Sequence, residues 1–230
     1  SKLTSVYKQM TDCNIQNTNK DEFLLIYHDS DMIQKIDNLY FRISPGAFFQ
    51  VNIKTAKFIY KKVRELYLDY LNKFNLIYDD IYVLDICCGT GTLGLFLANY
   101  CYKVFGFEIS NAAIKDCLHN SKFNNITNTE YIEGPVEDTI NQVFNNLELD
   151  KYIVPVINPP KRGLYEPVIN ILNLYKSKIN FIIYISCNYR SFYKDYQKLS
   201  NNYCINKINL VDQFPLTKDS EMIVILKKIN

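Results

Sequence analysis

One of the seven cysteines stands directly after a run of apolar residues. Cys187 follows Ser186 and residues 181–185, a short run rich in β-branched and aromatic side chains that predicts a buried strand. In an open parallel sheet, ligands bind outside the carboxyl ends of the strands. A thiol at that place can act as a nucleophile. Free cysteine is also among the most buried residue types, so an inert core thiol is the alternative.

A glycine-rich segment forms a second constellation. Residues 83–94 are typical of a strand, a tight turn and a helix start, and Gly89, Gly91 and Gly94 have the G-x-G-x-x-G spacing. Glycines let the backbone pass close to a ligand, and a helix N-terminus leaves amide donors free. Nicotinamide enzymes share this spacing, so the glycines alone do not select a cofactor.

Three acidic residues accompany the glycine turn. Asp85 lies inside the strand before it, where it can hold a cofactor ammonium or order the loop. Glu108 ends the next predicted strand, placed to accept hydrogen bonds from both hydroxyls of a ribose. Asp138 is placed to bond an adenine amino group. The alternatives are a turn cap for Asp85, a solvated strand end for Glu108 and a helix cap for Asp138.

The elements that must position these residues alternate along the chain. Apolar runs at 81–87, 104–107, 152–157, 181–185, 204–210 and 222–226 are separated by helical segments that include 91–100, 111–120 and 168–176. Strand-helix-strand repetition predicts a mostly parallel sheet with helices on both faces. The last two runs lie too close for a crossover helix, so we expect an antiparallel hairpin. The prediction is an α/β, Rossmann-like class I methyltransferase fold with a seven-stranded sheet.

The first part of the chain has a different pattern. Residues 1–20 are polar and aperiodic, 23–27 and 39–43 are predicted strands, and 53–74 has the apolar spacing of a helix. We therefore predict an N-terminal tail and remnant of an upstream segment at 1–40, and a catalytic domain at 41–230. Because the chain begins with Ser1, we expect it to be a fragment of a longer polypeptide.

Composition excludes several classes of protein. An odd number of cysteines without a CxxC pair, in a chain of 230 residues, favours reduced intracellular thiols over a disulfide scaffold. No metal site is expected, because the two histidines, His28 and His119, lack a second ligand at metal spacing. There is no signal-peptide pattern and no apolar run of membrane-span length. We predict an intracellular location without a membrane partner.

Four segments together resemble one family. Residues 41–52 resemble F-x-I-S-P-x-A-F-F-Q-V-N, 83–92 resemble V-L-D-x-x-C-G-T-G-T, 184–188 resemble Y-V-S-C-N, and 212–221 resemble D-x-F-P-x-T-x-H-x-E. These are motifs of the RNA (uracil-5-)-methyltransferases, and the Cys-Cys-Gly-Thr-Gly-Thr form is typical of the eukaryotic tRNA branch. The motifs lie in the same order, and the resemblance covers the chain from about residue 22.

The resemblance implies S-adenosyl-L-methionine as cofactor and RNA as substrate, favouring the T-loop uridine (position 54) of tRNA. It implies that Cys187 is the nucleophile that adds to carbon 6 of uracil, and that Glu221 is the base that removes the hydrogen from carbon 5. The implied cofactor-binding residues are Gln50, Cys87, Gly89, Thr92, Glu108 and Asn158. We further expect a monomer, with additional RNA-binding sequence upstream of this fragment.

Three positions depart from the family pattern. Asn158 and Lys161 stand where the family has the Asp and Arg of D-P-P-R, and Asp219 replaces a histidine two residues before Glu221. Asn keeps an acceptor oxygen without the charge, Lys forfeits bidentate geometry, and a carboxylate near Glu221 would raise its pKa. These departures suggest a slow enzyme. Two alternatives stay open: a catalytically silent RNA-binding or RNA-folding module, and a ribosomal RNA uracil-5-methyltransferase.

Overall fold

The computed structural model describes residues 6–10, 22–27, 32–148, 150–213, 215–217 and 220–229. Its strands are β1 (Val6–Met10), β2 (Glu22–Tyr27), β3 (Met32–Ile36), β4 (Leu39–Ile43), β5 (Ile81–Ile86), β6 (Lys103–Glu108), β7 (Thr129–Glu133), β8 (Tyr152–Ile157), β9 (Phe181–Ser186), β10 (Tyr203–Val211) and β11 (Glu221–Lys228). Its α-helices are α1 (Ile53–Lys73), α2 (Thr92–Leu97), α3 (Asn111–Phe123), α4 (Val136–Phe144), α5 (Glu166–Leu174) and α6 (Tyr189–Leu199).

Seven strands form the central sheet, in the order β10-β11-β9-β8-β5-β6-β7. The pairs β9–β8, β8–β5, β5–β6 and β6–β7 are parallel, whereas β11 is antiparallel to both β9 and β10. This topology confirms the predicted mostly parallel seven-stranded sheet with its C-terminal antiparallel hairpin. The reversal at β11 brings the start of that strand to the edge where the parallel strands end.

Two apolar cores cover the two faces of the sheet. Alternate residues of the fully buried strand β9 point to opposite faces, so Ile183 packs with α1 and α2, and Tyr184 packs with α4, α5 and α6. A strand that is buried on both faces is apolar at most positions, as strands of covered parallel sheets are. The apolar runs of the sequence therefore correspond to the central strands.

Helix α1 follows from a cap and an apolar stripe. The side-chain oxygen of Asn52 accepts a hydrogen bond from the amide of Thr55, 3.3 Å away, and so caps the first turn. Its buried face consists of Ala56, Ile59, Tyr60, Val63, Leu66, Tyr67, Tyr70 and Leu71. The three-and-four spacing of these residues is the helical pattern that the sequence predicts for 53–74.

The structure differs from the sequence prediction at several elements. Val6–Met10, expected to be part of an aperiodic tail, is a strand that pairs antiparallel with β2. Strands β3 and β7 and helices α4 and α6 are additional to the predicted elements. The boundary predicted between residues 40 and 41 falls inside β4, which pairs with β3. The division of the chain into two domains stays a prediction.

A ladder of polar side chains on α3 holds strand β4. Asp116, Asn120 and Asn124 stand four residues apart on the helix, and they bond the backbone of Ser44, Arg42 and Tyr40, respectively. Four helical residues advance about 6 Å and two strand residues about 6.6 Å, so the two spacings match. The amide of Asn120 also donates to the carbonyl of Thr90, 3.1 Å away, which ties β4 to the glycine turn.

Replacing the central member of this ladder should destabilise the fold. Asn120 is fully buried, and its amide accepts from the Arg42 nitrogen and donates to the Arg42 and Thr90 carbonyls. Asn120→Ala removes all three of these buried hydrogen bonds, so we expect a loss of about 2–3 kcal/mol in the free energy of unfolding. Urea denaturation measures it. The control Asn146→Ala removes an exposed bond to the Gln142 carbonyl and should cost under about 0.5 kcal/mol. Equal losses would contradict the ladder's role.

Candidate active site

Antiparallel pairing brings Cys187 and Glu221 to the same edge of the sheet. In the β9–β11 ladder Ser186 lies opposite Met222. The next residue outward on each strand is Cys187 on one side and Glu221 on the other. The two residues are thus neighbours at the carboxyl end of β9, although 34 positions separate them in the sequence (221 − 187). This edge is where open α/β sheets bind ligands.

Glu221 is a buried carboxyl group. Its relative exposure is 4%, and burial raises its pKa from 4.5 to about 7. Desolvation disfavours the charged form of an acid, which is the reason for the direction of this change. A carboxyl group with a pKa near neutrality is suited to take up a proton and to release it again at physiological pH.

Cys187 lies half-buried in a turn that two side chains shape. The Ser186 hydroxyl donates to the Asn188 carbonyl and accepts from the Asn188 amide nitrogen, at 3.0 and 3.1 Å. The Asn188 side-chain oxygen then caps α6 by accepting from Arg190 N, 3.0 Å away. The short polar residues on both sides of the cysteine therefore convert the end of β9 into the start of a helix.

The loop after β8 is fastened to this turn. The Lys161 carbonyl accepts from the Asn188 side-chain amide at 3.0 Å and from the Ser191 hydroxyl at 2.5 Å. Gly163 adopts a φ of +88°, and a Cβ there would lie 2.6 Å from Asp195 Oδ2, so glycine is required by both conformation and space. The segment that begins at Asn158 is thereby held beside Cys187.

A buried carboxylate also holds the loop after β8 in place. Asp195 of α6 is 5% exposed, and its Oδ2 accepts from the Leu164 amide at 2.8 Å and from the Tyr184 hydroxyl at 2.6 Å. Burial raises the pKa of Asp195, while these hydrogen bonds oppose that change. Asp195 therefore joins α6, β9 and the loop after β8 in one hydrogen-bonded unit.

Asp85 orders the glycine turn. It is fully buried, and its Oδ2 accepts from the Gly94 amide at 2.7 Å, which satisfies a free donor at the start of α2. Burial raises the pKa of Asp85 to about 7, with the nearby Glu108 carboxylate as a further cause. Of the two roles that the sequence leaves open for Asp85, the structure shows the ordering of the loop. Its Oδ1 has no hydrogen-bond partner among the described residues.

Glu108 closes the turn from the neighbouring strand. Its two oxygens accept from Gly89 N and Ser110 N, each at 2.9 Å. A carboxylate has about four acceptor positions, so two remain for a ligand. Gly89 adopts a φ of +56°, and a Cβ there would come within 3.2 Å of the Phe48 carbonyl oxygen. The segment that follows β4 therefore passes directly over the glycine turn.

A small cavity opens between these segments. Its lining is Phe48, Phe49, Gln50, Tyr60, Cys87, Cys88, Gly89, Thr90, Thr92, Leu93 and Asn158. Five of the six predicted cofactor-binding residues belong to this set, and the sixth, Glu108, bonds the backbone of Gly89. Burial raises the pKa of Cys87 to about 12, so its thiol stays neutral. Roles in cofactor binding stay predictions.

Two residues that sequence reasoning missed complete the surroundings of the cavity. Tyr60 projects from α1, where it is part of the apolar stripe and looks like any other core residue. Gln213 is buried, and its side-chain amide donates to the Gln50 side-chain oxygen, while its carbonyl accepts from Asn52 Nδ2 at 3.0 Å. This pair joins the segment after β4 to the segment before Glu221. Polar residues add nothing to an apolar periodicity, so the sequence carries no sign that these two buried glutamine amides are in contact.

Comparison with known proteins identifies the family. The model of the tRNA (uracil-5-)-methyltransferase family matches residues 6–229. The chain belongs to this family. It is 34% identical over 188 residues to human tRNA (uracil-5-)-methyltransferase homolog B, covering 80% of this chain and 35% of that protein. It is 30% identical over 228 residues to an uncharacterized RNA methyltransferase of Fusobacterium nucleatum, covering 98% of this chain and 46% of that protein. The chain thus spans less than half of either relative.

A solved structure shares the fold. The crystal structure of the Pyrococcus abyssi tRNA (uracil-54, C5)-methyltransferase, in complex with S-adenosyl-L-homocysteine, aligns with a TM-score of 0.74 and 24% identity. The alignment covers 98% of this chain and 51% of that one. This likeness confirms the predicted Rossmann-like methyltransferase architecture.

Asp138 and two of the three positions that depart from the pattern of the uracil-5-methyltransferases lie within the described residues. Asn158 lines the cavity, and its backbone amide donates to the Ile86 carbonyl at 3.1 Å. Lys161 is exposed and serves the turn through its carbonyl. Asp138 lies in the first turn of α4, and its adenine contact stays a prediction. Asp219 lies outside the described residues, so its expected effect on Glu221 stays a prediction too.

Two further findings bear on this member of the tRNA (uracil-5-)-methyltransferase family. None of the helices within the described ranges is long and apolar enough to cross a membrane. Over the same ranges, no group of three or more His, Cys, Asp and Glu side chains is arranged to hold a metal ion.

Proposed function

We propose that this chain is the catalytic part of an enzyme that methylates carbon 5 of a uridine in RNA, with S-adenosyl-L-methionine as methyl donor. The observation that carries the proposal is the meeting of Cys187 and Glu221 at one sheet edge, beside the cavity at the glycine turn. Membership of the tRNA (uracil-5-)-methyltransferase family supports it.

The residues of the cavity fit that cofactor. The glycine turn lets a ligand approach the backbone closely, and two acceptor positions of Glu108 remain for the ribose hydroxyls. Asp85 Oδ1, which lacks a hydrogen-bond partner among the described residues, adds an acceptor behind the turn. Gln50, Cys87, Thr92 and Asn158 supply side walls with both apolar and polar atoms. When bound, S-adenosyl-L-methionine supplies an electrophilic methyl group on its sulfonium.

The chemistry requires a nucleophile and a base in turn. Carbon 5 of uracil is a weak nucleophile, so Cys187, as thiolate, first adds to carbon 6, and the electrons of the C5–C6 double bond move into an enolate. After carbon 5 has gained its methyl group, the Glu221 carboxylate removes the remaining hydrogen from that carbon as a proton. The C5–C6 double bond re-forms, and the Cys187 sulfur leaves with the electrons of the C–S bond.

We propose the T-loop uridine (position 54) of tRNA as the substrate. Support comes from the family's name, the name of the human relative and the name of the Pyrococcus abyssi enzyme of the same fold. The target base must leave the stack to reach Cys187, since a base that is paired or stacked keeps carbon 6 out of reach. Monomeric state and upstream RNA-binding sequence stay predictions.

The test is direct methylation of defined RNAs. The chain is incubated with methyl-labelled cofactor and either an unmodified tRNA transcript or ribosomal RNA fragments, and 5-methyluridine is mapped by nuclease digestion and mass spectrometry. Label at the T-loop uridine of tRNA alone supports the full proposal. Label in ribosomal RNA alone would reject the tRNA substrate and keep the reaction, whereas RNA binding without label would favour the silent module.

Glu108 provides a test of the cofactor site. In Glu108→Gln one carboxylate oxygen becomes an NH₂ group, which cannot accept from a ribose hydroxyl, and the charge is lost. Since hydrogen bonds to charged groups contribute about 1.5–3 kcal/mol, we expect binding of S-adenosyl-L-homocysteine to weaken about 10- to 100-fold in calorimetry. Glu133→Gln at the end of neighbouring β7, where the carboxylate bonds Asn111, is the control and should leave affinity unchanged. If the two variants bind S-adenosyl-L-homocysteine with equal affinity, Glu108 does not contact the cofactor.

A further inference from the structure

Two pairs of arginine and tyrosine flank the turn that carries Cys187. The guanidinium carbon of Arg162 lies 4.1 Å from the ring centroid of Tyr165. The guanidinium carbon of Arg190 lies 5.6 Å from the ring centroid of Tyr189, and its Nε donates to the Tyr189 hydroxyl at 3.0 Å. Both arginines are exposed, as are Tyr165 (40%) and Tyr189 (63%).

These pairs are continuous with the proposed active site. Tyr189 and Arg190 begin α6, two and three residues after Cys187. Arg162 follows Lys161, whose carbonyl is bonded to Asn188 and Ser191 of the same turn. Arg162 also lies close enough to the cavity to lower the pKa of Cys87 against the larger effect of burial. One pair therefore stands on the loop after β8 and the other on the first turn of α6, and these two segments meet beside Cys187.

No carboxylate among the described residues neutralises the charges of these two arginines. Across the described ranges, neither has a carboxylate within ion-pair distance. Three basic residues of α1 differ in this respect, because Lys57, Lys61 and Arg64 all surround Asp37. Positive charge available to a partner therefore lies at the catalytic edge.

We propose that Arg162–Tyr165 and Arg190–Tyr189 form a platform that binds the RNA nucleotides next to the uridine that enters the site. The inference rests on the proposed function, since it places the target base at Cys187. A guanidinium held against a ring still directs its N–H groups outward, where they match the oxygens of a phosphate. Unpaired bases stack on exposed aromatic faces in single-stranded RNA sites. Extrusion of the uridine removes a stacking partner from the base on each side, so the exposed face of that base can stack on a tyrosine ring.

The expected consequences concern RNA affinity and its salt dependence. In the double variant Arg162→Gln/Arg190→Gln, the slope of log affinity against log salt for a tRNA T-arm hairpin should fall by about 0.7 for each lost phosphate contact. Tyr189→Ala should weaken binding of the hairpin about 5- to 100-fold through lost stacking. For both variants we expect the KM for RNA to rise. The Kd for S-adenosyl-L-homocysteine and the melting temperature should stay unchanged.

A matched control uses a cation–aromatic pair at the other edge of the sheet. Lys151 Nζ lies 4.1 Å from the ring centroid of Tyr102, at the amino ends of the strands, and Lys151→Gln should keep the salt slope and KM of the parent. Slopes and KM values of the double variant that equal those of Lys151→Gln would overturn the platform. Failure of the proposed function looks different: the unaltered chain would then bind the hairpin without methylating it. Binding of an acidic peptide in preference to the hairpin would overturn the platform as an RNA surface.

Discussion

Replacement of Cys187 by alanine is expected to abolish methylation of RNA, with a loss in kcat of about 10³-fold or more, as for deletions of the nucleophile in other covalent enzymes. The reason is that carbon 5 of uracil becomes reactive only after a sulfur has added to carbon 6. RNA that carries 5-fluorouridine has no hydrogen at carbon 5 for the base to remove, so the parent chain should remain joined to it. A gel-shift under denaturing conditions measures this adduct, which Cys187→Ala cannot form.

Cys204→Ala is the matched control for this experiment. Cys204 is also a half-buried free thiol, but it pairs with Lys227 near the beginning of β10, at the edge of the sheet opposite Glu221. This variant should keep both turnover and the adduct. An adduct that persists in Cys187→Ala and disappears in another cysteine variant would assign the nucleophile elsewhere. Turnover by the parent chain on ordinary RNA, without any adduct on RNA that carries 5-fluorouridine, would reject the covalent mechanism.

The core of the fold was predictable because burial on two faces leaves a strong pattern. Every residue of β9 is buried, and such apolar runs, separated by helical segments, mark the central strands in the sequence. Strand β7 has no fully buried residue, and α6 buries only Phe192, Asp195 and Leu199. Strand β7 therefore shows no period of two, whereas the buried residues of α6 stand at helical spacing, so this helix could have been predicted from the sequence.

The site was predictable at the level of motifs but not of contacts. Cys187, Glu221 and the glycine turn were found from short local patterns and a family resemblance. The residues that join these motifs are buried polar groups with distant partners: Gln213 bonds Gln50 across 163 positions, and Asn120 bonds Arg42 across 78. An isolated asparagine or glutamine carries no local sign of its partner. Only the three-dimensional fold shows that each of them is buried and therefore needs a hydrogen-bond partner.

Three polar connections give the proposed site a common frame. The α3 ladder fixes β4 to the glycine turn, the Gln50–Gln213 bond fixes the segment after β4 to the approach to Glu221, and the Lys161 carbonyl fixes the loop after β8 to the Cys187 turn. All four motif segments are thus linked to one sheet edge. A reaction with a nucleophile, a methyl donor and a base in sequence requires such fixed relative positions.

Replacement of Glu221 by glutamine is expected to stop the reaction after the methyl group has been transferred. Cys187 can still add to the base, but no carboxylate removes the proton from carbon 5, so the sulfur cannot leave. Turnover should fall about 10²- to 10⁴-fold, as is typical for the loss of a general base. At the same time a covalent complex with ordinary uridine-containing RNA should accumulate, which Cys187→Ala never forms. Denaturing electrophoresis with labelled cofactor detects the methylated adduct.

The pH dependence provides an independent measurement of the same residue. Only the deprotonated Glu221 can accept the proton, and burial raises its pKa to about 7. Turnover of the parent chain should therefore decrease as the pH falls below about 7. A rate that stays constant from pH 8 to pH 5, with RNA and cofactor saturating, would contradict the role of Glu221 as base.

As the pH rises, this carboxyl group should lower the free energy of unfolding, whereas turnover should increase. Because the pKa of Glu221 is 4.5 in the unfolded chain and about 7 in the folded one, folding favours the protonated form. Burial of the charged carboxylate lowers the free energy of unfolding. This loss is absent below pH 4.5 and grows with pH up to about pH 7. Glu221→Gln should thus raise the free energy of unfolding at pH 8, by at most about 3 kcal/mol, and leave it unchanged at pH 4. Urea denaturation at the two pH values measures this.

Glu166→Gln is the control, since the exposed Glu166 forms a surface pair with Lys198 and should show no such pH dependence. A buried carboxylate that weakens the fold near neutral pH is characteristic of a functional site. If Glu221→Gln instead destabilised the chain at pH 8, the carboxylate would be a structural group, and another base would have to complete the reaction of Cys187.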